Sequence, residues 1–515
     1  MRFAQNAPGQ GLPPLAFLLR KWRRWRFTER AIDRAYAAWA RADRPDAGVW
    51  RARVEGLRGA PLISVVMPVR DPPEAWLRQA VASVQAQFYR DWQLVIADDG
   101  SVAPHVAAVL DGLSRDQRIE VVRLGRSVGV SLASNAALAR ATGAYVTFLD
   151  HDDVLAPQAL AAVACELAAS PDLDMVFSDE DQLVEGRRAA PYFKPGFNPD
   201  LMLSQNAVCH MAVYRRSLVA RLGGLRAAYD GSQDFDLCLR VMGEVPARRI
   251  RHVPMVLYHW RQSAGSLSGR GMAACRDAAA RAVADHLREA AAVGVSAALP
   301  QWPEVRFLVP APRPSVSVIG AVVAGCESVA AAAAATGDVL LFLAPGLRPV
   351  AADWLEAMLG QVCRAEIGAV GARLCGPDGR LLHAGYGLDP VRVAVSAEAD
   401  AADPGYRGQF LLARSVAAVS LDCLMVRREV FVAAGGLDAR AGDFAGVDFC
   451  ARLAARGLRC VWEPRAWLAY DAPPKPLRAG ADWMRGRWGD ALARDPYTNP
   501  NLVVRHGRLG LARAA

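Results

Sequence analysis

The chain has 515 residues, 53% hydrophobic and 22% charged, with a mean hydropathy of +0.10. That excludes a mostly disordered chain and is long for a single core, so two or three globular domains are expected. The formal charge of +9 suits an anionic partner (a nucleoside diphosphate, a phospholipid surface or nucleic acid) without choosing among them, and solvated surface accounts for most single arginines.

Residues 1–60 read as helical with polar breaks. Within them Trp22, Trp25 and Phe27 stand among Arg20, Lys21, Arg23, Arg24 and Arg26. Rings among cations suit a membrane interface, and equally a helix packed on the protein with its arginines solvated. No secretion signal opens the chain, and no apolar run reaches the ~18 residues that span a bilayer. Ten cysteines lie scattered in apolar runs without a CxxC pair, which reads as reduced core residues rather than a zinc cluster. The expected place is the cytoplasm, with residues 20–27 as the candidate contact to the inner face of the membrane.

From Leu62 the pattern changes. LISVVMPV is a continuous β-branched run, as a buried parallel strand requires. A helix (AWLRQAVASVQAQ), a strand (WQLVIA, 92–97), a short strand (IEVVRL), a helix (132–141) and a strand (AYVTFL, 144–149) follow. This alternation predicts a doubly wound α/β sheet. Prolines 300, 303, 310, 312 and 314 follow a helical stretch at 275–292, placing a boundary near residue 300.

Two strands end in carboxylates, where ligands sit in open α/β sheets. WQLVIA runs into Asp98-Asp99-Gly100-Ser101, suited to a nucleobase or ribose, or to a plain Asp-Gly turn. AYVTFL runs into Asp150-His151-Asp152-Asp153. Three carboxylates in four residues raise one another's pKa unless a cation intervenes, and hard oxygen ligands suit Mg²⁺ or Mn²⁺ on a diphosphate. A solvated acidic loop is the weaker reading. In GSQDFDLCLRV, Asp234 is the candidate general base and Asp236 a helix-start partner. His259, in LYHW, suits a structural hydrogen bond or a place on the metal.

The chain also repeats itself. RREVFVAAGGL, from Arg427, follows RRSLVARLGGL, from Arg215, at an offset of 212 residues, which also pairs Asp236 with Asp448 and Arg240 with Arg452. ATGDVLLFL (335–343) follows ATGAYVTFL (141–149) at an offset of 194. Under these offsets Ala344, Gly346, Leu347 and Gly446 replace Asp150, Asp152, Asp153 and Asp234, and Tyr470 is expected in the place of His259. The front of the second copy has room for one helix, not for a DDGS unit.

The ordered set PVRDPP, ADDGS, SNAALARATGAYVTFLDHDD, FSDEDQ, YFKPGFNPD, GSQDFDL and LYHW resembles family 2 glycosyltransferases of the GT-A fold, over roughly residues 61–270. It is most similar to large bacterial enzymes that build surface polysaccharides. The stretch 320–500 is similar to the second glycosyltransferase domain of tandem members. The resemblance implies a helical segment (1–60), a GT-A domain (61–300) and a degenerate, non-catalytic GT-A-like domain (301–515). It further implies a nucleoside-diphosphate sugar donor, a divalent metal (Mn²⁺ or Mg²⁺) and inversion at the anomeric carbon. Asp234 falls at the base; Asp98, Asp99, Asn135 and Asp150 form the nucleotide-sugar set; Asp150, Asp152, Asp153 and His259 form the metal set. The expected acceptor is a glycan or lipid-linked sugar, and no nucleic-acid partner is expected. The second half is then expected to bind acceptor glycan, stiffen the first domain or mediate assembly. The rival readings are a glycan-binding pseudoenzyme or assembly scaffold, and a nucleotidyltransferase on a similar sheet.

Overall fold

A computed structural model describes residues 32–262, 272–296, 299–320, 331–332, 334–387, 400–471, 477–489, 495–505 and 508–512. The basic segment 20–27 and Cys326 lie outside the described residues. Among the described residues no helix is long and apolar enough to cross a membrane.

Nine strands of the first half form one sheet: β1 (Ile63–Val69), β2 (Trp92–Asp98), β3 (Ile119–Arg123), β4 (Tyr145–Phe148), β5 (Val154–Leu155), β6 (Met175–Val184), β7 (Arg187–Tyr192), β8 (Ala212–Arg215) and β9 (Ile250–Arg261). Their order is 3-2-1-4-8-6-9-5, with β7 paired to β6. The run 3-2-1-4 is parallel, as the uninterrupted apolar strands predict; β8 enters antiparallel to both β4 and β6, so the sheet is mixed. β1 is buried along its whole length, which matches its lack of alternation.

Helices cover both faces. Glu74–Gln85, Pro104–Gly112 and Ala159–Ala169 bury their apolar stripes on one side, around Val65, Met67, Leu94 and Leu160. On the other side Gln233–Glu244 and Met272–Leu287 pack around Phe177, Tyr214 and Leu237. The N-terminal helix (32–42) joins that second layer: Tyr36 stacks on Trp39 at 5.4 Å, and both meet the edge of Phe193.

A hairpin, β10 (Ala291–Ser296) and β11 (Leu299–Phe307), leads to the second half. There β12 (Val316–Ile319), β13 (Val339–Leu343), β14 (Leu347–Pro349), β15 (Ile367–Cys375), β16 (Leu381–His383), β17 (Arg414–Val416), β18 (Cys423–Arg427) and β19 (Arg459–Tyr470) form an eight-stranded sheet. Its order, 12-13-18-15-19-14, reproduces 1-4-8-6-9-5. Registers agree as well: Tyr145 opposes Arg215 as Val339 opposes Arg427, and Val176 opposes Val213 as Val370 opposes Met425. Among the described residues no strand stands where β2 and β3 stand in the first sheet, in line with the short front of the second copy.

Candidate functional site

Beyond the carboxyl ends of β1 and β4 lies a pocket of about 560 Å³ including its open mouth. Asp150, delivered by β4, and Asp234, in the first turn of the helix Gln233–Glu244, both line it. The strand Ala212–Arg215 and the residues leading into it, Cys209 to Met211, close a third wall, and Tyr258 on β9 completes it.

Asp150 is half-buried. Burial raises its carboxyl above the usual range, and Asp152 and Asp234 push the same way against His210 and His151. Asp234 accepts from the Asn206 Nδ2 at 3.2 Å and from the Phe235 amide at 2.8 Å. These contacts fix one carboxylate at the rim of the cavity.

His210 joins the site although no sequence pattern singled it out. It stacks on Tyr258, with ring centroids 4.7 Å apart, and its Nδ1 lies 3.3 Å from the Glu180 carboxylate. Burial lowers its pKa, but the hydrogen bond and charge of Glu180, with Asp150 and Asp153 behind, outweigh this and hold the imidazole up at about 9. Glu180 is itself held low: burial raises it, and Lys194 and His210 more than compensate. The signal available in sequence was slight: Glu180 and Lys194 fall inside FSDEDQ and YFKPGFNPD, but neither local pattern says that the two meet.

The sequence-derived ligand sets divide. Asp98 accepts from the Ser101 amide at 3.0 Å, and Asp99 from Ser127 Oγ at 2.8 Å and the Val128 amide at 2.6 Å. The Asp98 carboxylate therefore closes its own loop after β2, and that of Asp99 builds the loop ahead of the helix Val130–Leu138. Gly100 is required there: its φ is +67°, and a Cβ would sit 2.7 Å from the Arg126 and Ser127 backbone. Asn135 does not line the pocket. Its amide bonds the backbone of Leu225 in both directions, at 2.8 and 2.9 Å, so it braces the loop before Asp234.

The four-member metal set is not assembled as one cluster. Asp153 turns away, accepting from the Tyr258 hydroxyl at 2.5 Å and the Arg261 amide at 2.7 Å. His259 directs Nδ1 to Asp181 at 2.6 Å, and Asp181 also accepts from Tyr36 and Arg188. Among the described residues no three His, Cys, Asp or Glu side chains are grouped to hold a metal ion. Asp236 is scaffold: nearly fully buried, it is gripped by Arg226 and Arg240.

Residues 64–223 match the family model described as Glycosyl transferase family 2. The chain carries a glycosyl transferase family 2 domain. The match takes in Asp98, Asp99, Asp150, Asp152 and His210, and ends before Asp234 and His259. Similar proteins include the uncharacterized protein y4gI of Sinorhizobium fredii, 32% identical over 90% of this chain and 60% of that protein. The O-antigen biosynthesis protein RfbC of Myxococcus xanthus is 33% identical over 93% of this chain and 43% of its own length. The chain thus spans only part of either relative. Staphylococcus aureus TarS 1-349 in complex with UDP-GlcNAc overlaps 44% of this chain and 66% of its own, with 18% identity and a TM-score of 0.37, a likeness too low to carry an argument.

Among its described residues the second half keeps the family 2 domain's frame, with Ala344 and Gly446 in the places of the pocket carboxylates Asp150 and Asp234. Asp448 pairs with Arg452, whose guanidinium also bonds the Ala434 and Gly436 carbonyls, as Arg240 pairs with Asp236 and bonds those of Leu222 and Gly224. Where Asp234 would be stands Gly446, backed by Leu421, whose Cβ lies 3.1 Å from where a Cβ on that glycine would be. Strand register corrects one assignment. Asp181 opposes His259, and Cys375 opposes Ala469, so Ala469 and not Tyr470 takes the histidine's place. Pro254 and Pro464, each at a register shift in its strand, stand at the same offset of 210 residues as His259 and Ala469 and mark this register in the sequence.

Proposed function

We propose that the family 2 domain is an inverting glycosyltransferase. It moves a sugar from a nucleoside-diphosphate donor to a hydroxyl of a glycan or lipid-linked acceptor in polysaccharide biosynthesis. The observation that carries this reading is the meeting of Asp150 and Asp234 in one pocket, from two elements whose frame recurs in the second half without either carboxylate.

Asp234 is the general base: it takes the proton of the acceptor hydroxyl as that oxygen attacks the anomeric carbon, and the carbon–diphosphate bond breaks on the opposite face. Asn206 orients its carboxylate. The two loops organised by Asp98 and Asp99 receive the nucleotide. A divalent cation fits the donor set: Asp150 is a partly desolvated carboxylate pressed by two like charges, and a cation of the Mg²⁺ type is held by one or two carboxylates plus substrate phosphates rather than by a protein cage. Asp150 and Asp152 would hold it. Such an ion supplies Lewis-acid stabilisation of the leaving diphosphate. Asp153 fixes the turn beneath, and His259, its Nδ1 held by Asp181, keeps Nε2 as its remaining ring nitrogen.

The second half is non-catalytic in this reading. The acceptor lies at the cytosolic membrane face, approached through residues 20–27. Incubating the protein with a panel of nucleotide sugars and Mn²⁺, and assaying released nucleoside diphosphate, tests the whole. Turnover lost in Asp234→Asn is the expected result. Absence of donor binding across the panel would favour a glycan-binding scaffold, and sugar transfer by residues 301–515 alone would overturn the assignment of the second half.

A further inference from the structure

The strip of chain from Ala190 to Asn206 runs from β7 to the pocket, and it is tied down by the second half at point after point. The Tyr406 hydroxyl donates to the Pro191 carbonyl at 2.7 Å and accepts from the Phe193 amide at 3.1 Å. Asn198 exchanges hydrogen bonds with the Ser415 backbone at 2.9 and 3.0 Å. Gln205 Nε2 reaches the Arg407 carbonyl at 3.0 Å.

Deepest of these ties is Asn499, only 2% exposed although it lies near the end of the chain. Its Nδ2 donates toward both oxygens of Asp179, at 3.0 and 2.9 Å, and to the Lys194 carbonyl at 2.8 Å. Asp179 in turn accepts from the Lys194 amide at 2.9 Å and faces His252 Nε2 at 2.8 Å. Lys194, fully buried, carries the connection onward: its ammonium donates to the carbonyls of Val208 and His210. Those two residues bracket Cys209 in the pocket wall, and Asn206, two residues earlier, holds Asp234. The chain from Asn499 to the wall is therefore three side chains long and made of groups with no solvent to substitute for a lost partner.

We propose that Asn499 and Tyr406, both from the second half, are positioning residues for the sugar-transfer site, acting through Lys194 and the strip 190–206 on Asn206 and the wall 209–211. The proposal rests on the glycosyltransferase reading for its kinetic arm alone. Neither residue lines the pocket, so neither is a catalytic residue.

The test uses the full chain carrying Asn499→Ala, and Tyr406→Phe as a second variant that keeps the ring and removes one hydroxyl. Hydrogen exchange read by mass spectrometry over residues 204–212 should speed up in both, while β13, β15 and β18 keep their protection. In parallel kcat should fall, on the order of 10²-fold for Asn499→Ala, with the donor KM changed much less, because a base displaced by about 1 Å loses alignment rather than donor contacts. Exchange over 204–212 equal to wild type in both variants overturns the proposal. So does exchange that rises uniformly through both halves with kcat per folded molecule unchanged, the mark of a merely structural tie. A wild-type chain that turns over no nucleotide sugar overturns the transfer reading instead, and the exchange comparison then decides the coupling by itself.

Discussion

Asp234 and Asp236 stand two residues apart on one helix turn and behave oppositely. Asp236 points into the protein against two arginines, and its counterpart Asp448 keeps the same ion pair in the second half. Asp234 faces the pocket, and its counterpart is glycine. Asp236→Ala leaves Arg240 unpaired in a largely buried place and should cost about 3–5 kcal/mol, read as a lowered midpoint in urea denaturation. Asp234→Asn should leave that midpoint near wild type and lower kcat by about 10²–10⁴-fold, with nucleotide binding retained. If instead the Asp234 variant unfolds and the Asp236 variant turns over normally, the assignment is reversed. At this scale the sequence was partly legible. Carboxylates at strand ends and the internal repeat were enough to separate Asp150 and Asp234 from their surroundings. Where the side chains turn was not, because Asp153 and Asn135 are committed by partners more than 80 residues away, Arg261 and Leu225.

Strands and helices were the more legible level. The apolar runs that predicted β1, β2 and β4 are strands, and the two sequence offsets agree with matching registers in the two sheets. Sheet order was not readable: β8 inserts antiparallel between β4 and β6, a pairing across 27 or more residues that no local period encodes. Nor was the path of the C-terminal segment. It crosses the first half so closely that a Cβ on Gly196 would fall 2.0 Å from the Pro496 carbonyl oxygen. Backbone meets backbone there, so no side-chain rotation relieves the clash. Gly196→Ala should therefore destabilise the protein by about 1–3 kcal/mol. Amides of 495–502 should exchange faster while those of β1 and β2 do not. Unchanged exchange over 495–502 would place the segment elsewhere.

At the scale of the whole molecule, a buried ion cluster ties one half to the other. Asp200, nearly fully buried in the first half, receives Arg364 at 2.7 Å and Arg459 at 2.9 Å from the second, with Ser415 Oγ as a further donor. Burial by itself would raise the Asp200 carboxyl, but the two guanidinium groups outweigh it and hold the group far below the usual carboxylate range. A carboxyl depressed in the folded state stabilises the fold above its ordinary pKa of ~3.9, and that stabilisation drains away as pH falls below it. The interface between halves should thus weaken on acidification rather than at alkaline pH, where both arginines stay charged. Asp200→Asn isolates this group from the other carboxylates that titrate in acid. At pH 7 it should cost about 1–3 kcal/mol, since Arg364 and Arg459, both partly buried, are left with Glu366 as their carboxylate partner. From about pH 5 to pH 3 the wild-type urea midpoint should fall more steeply than the variant's, so that the two curves converge. Curves that stay parallel through that window would mean that Asp200 is not what couples the halves to pH.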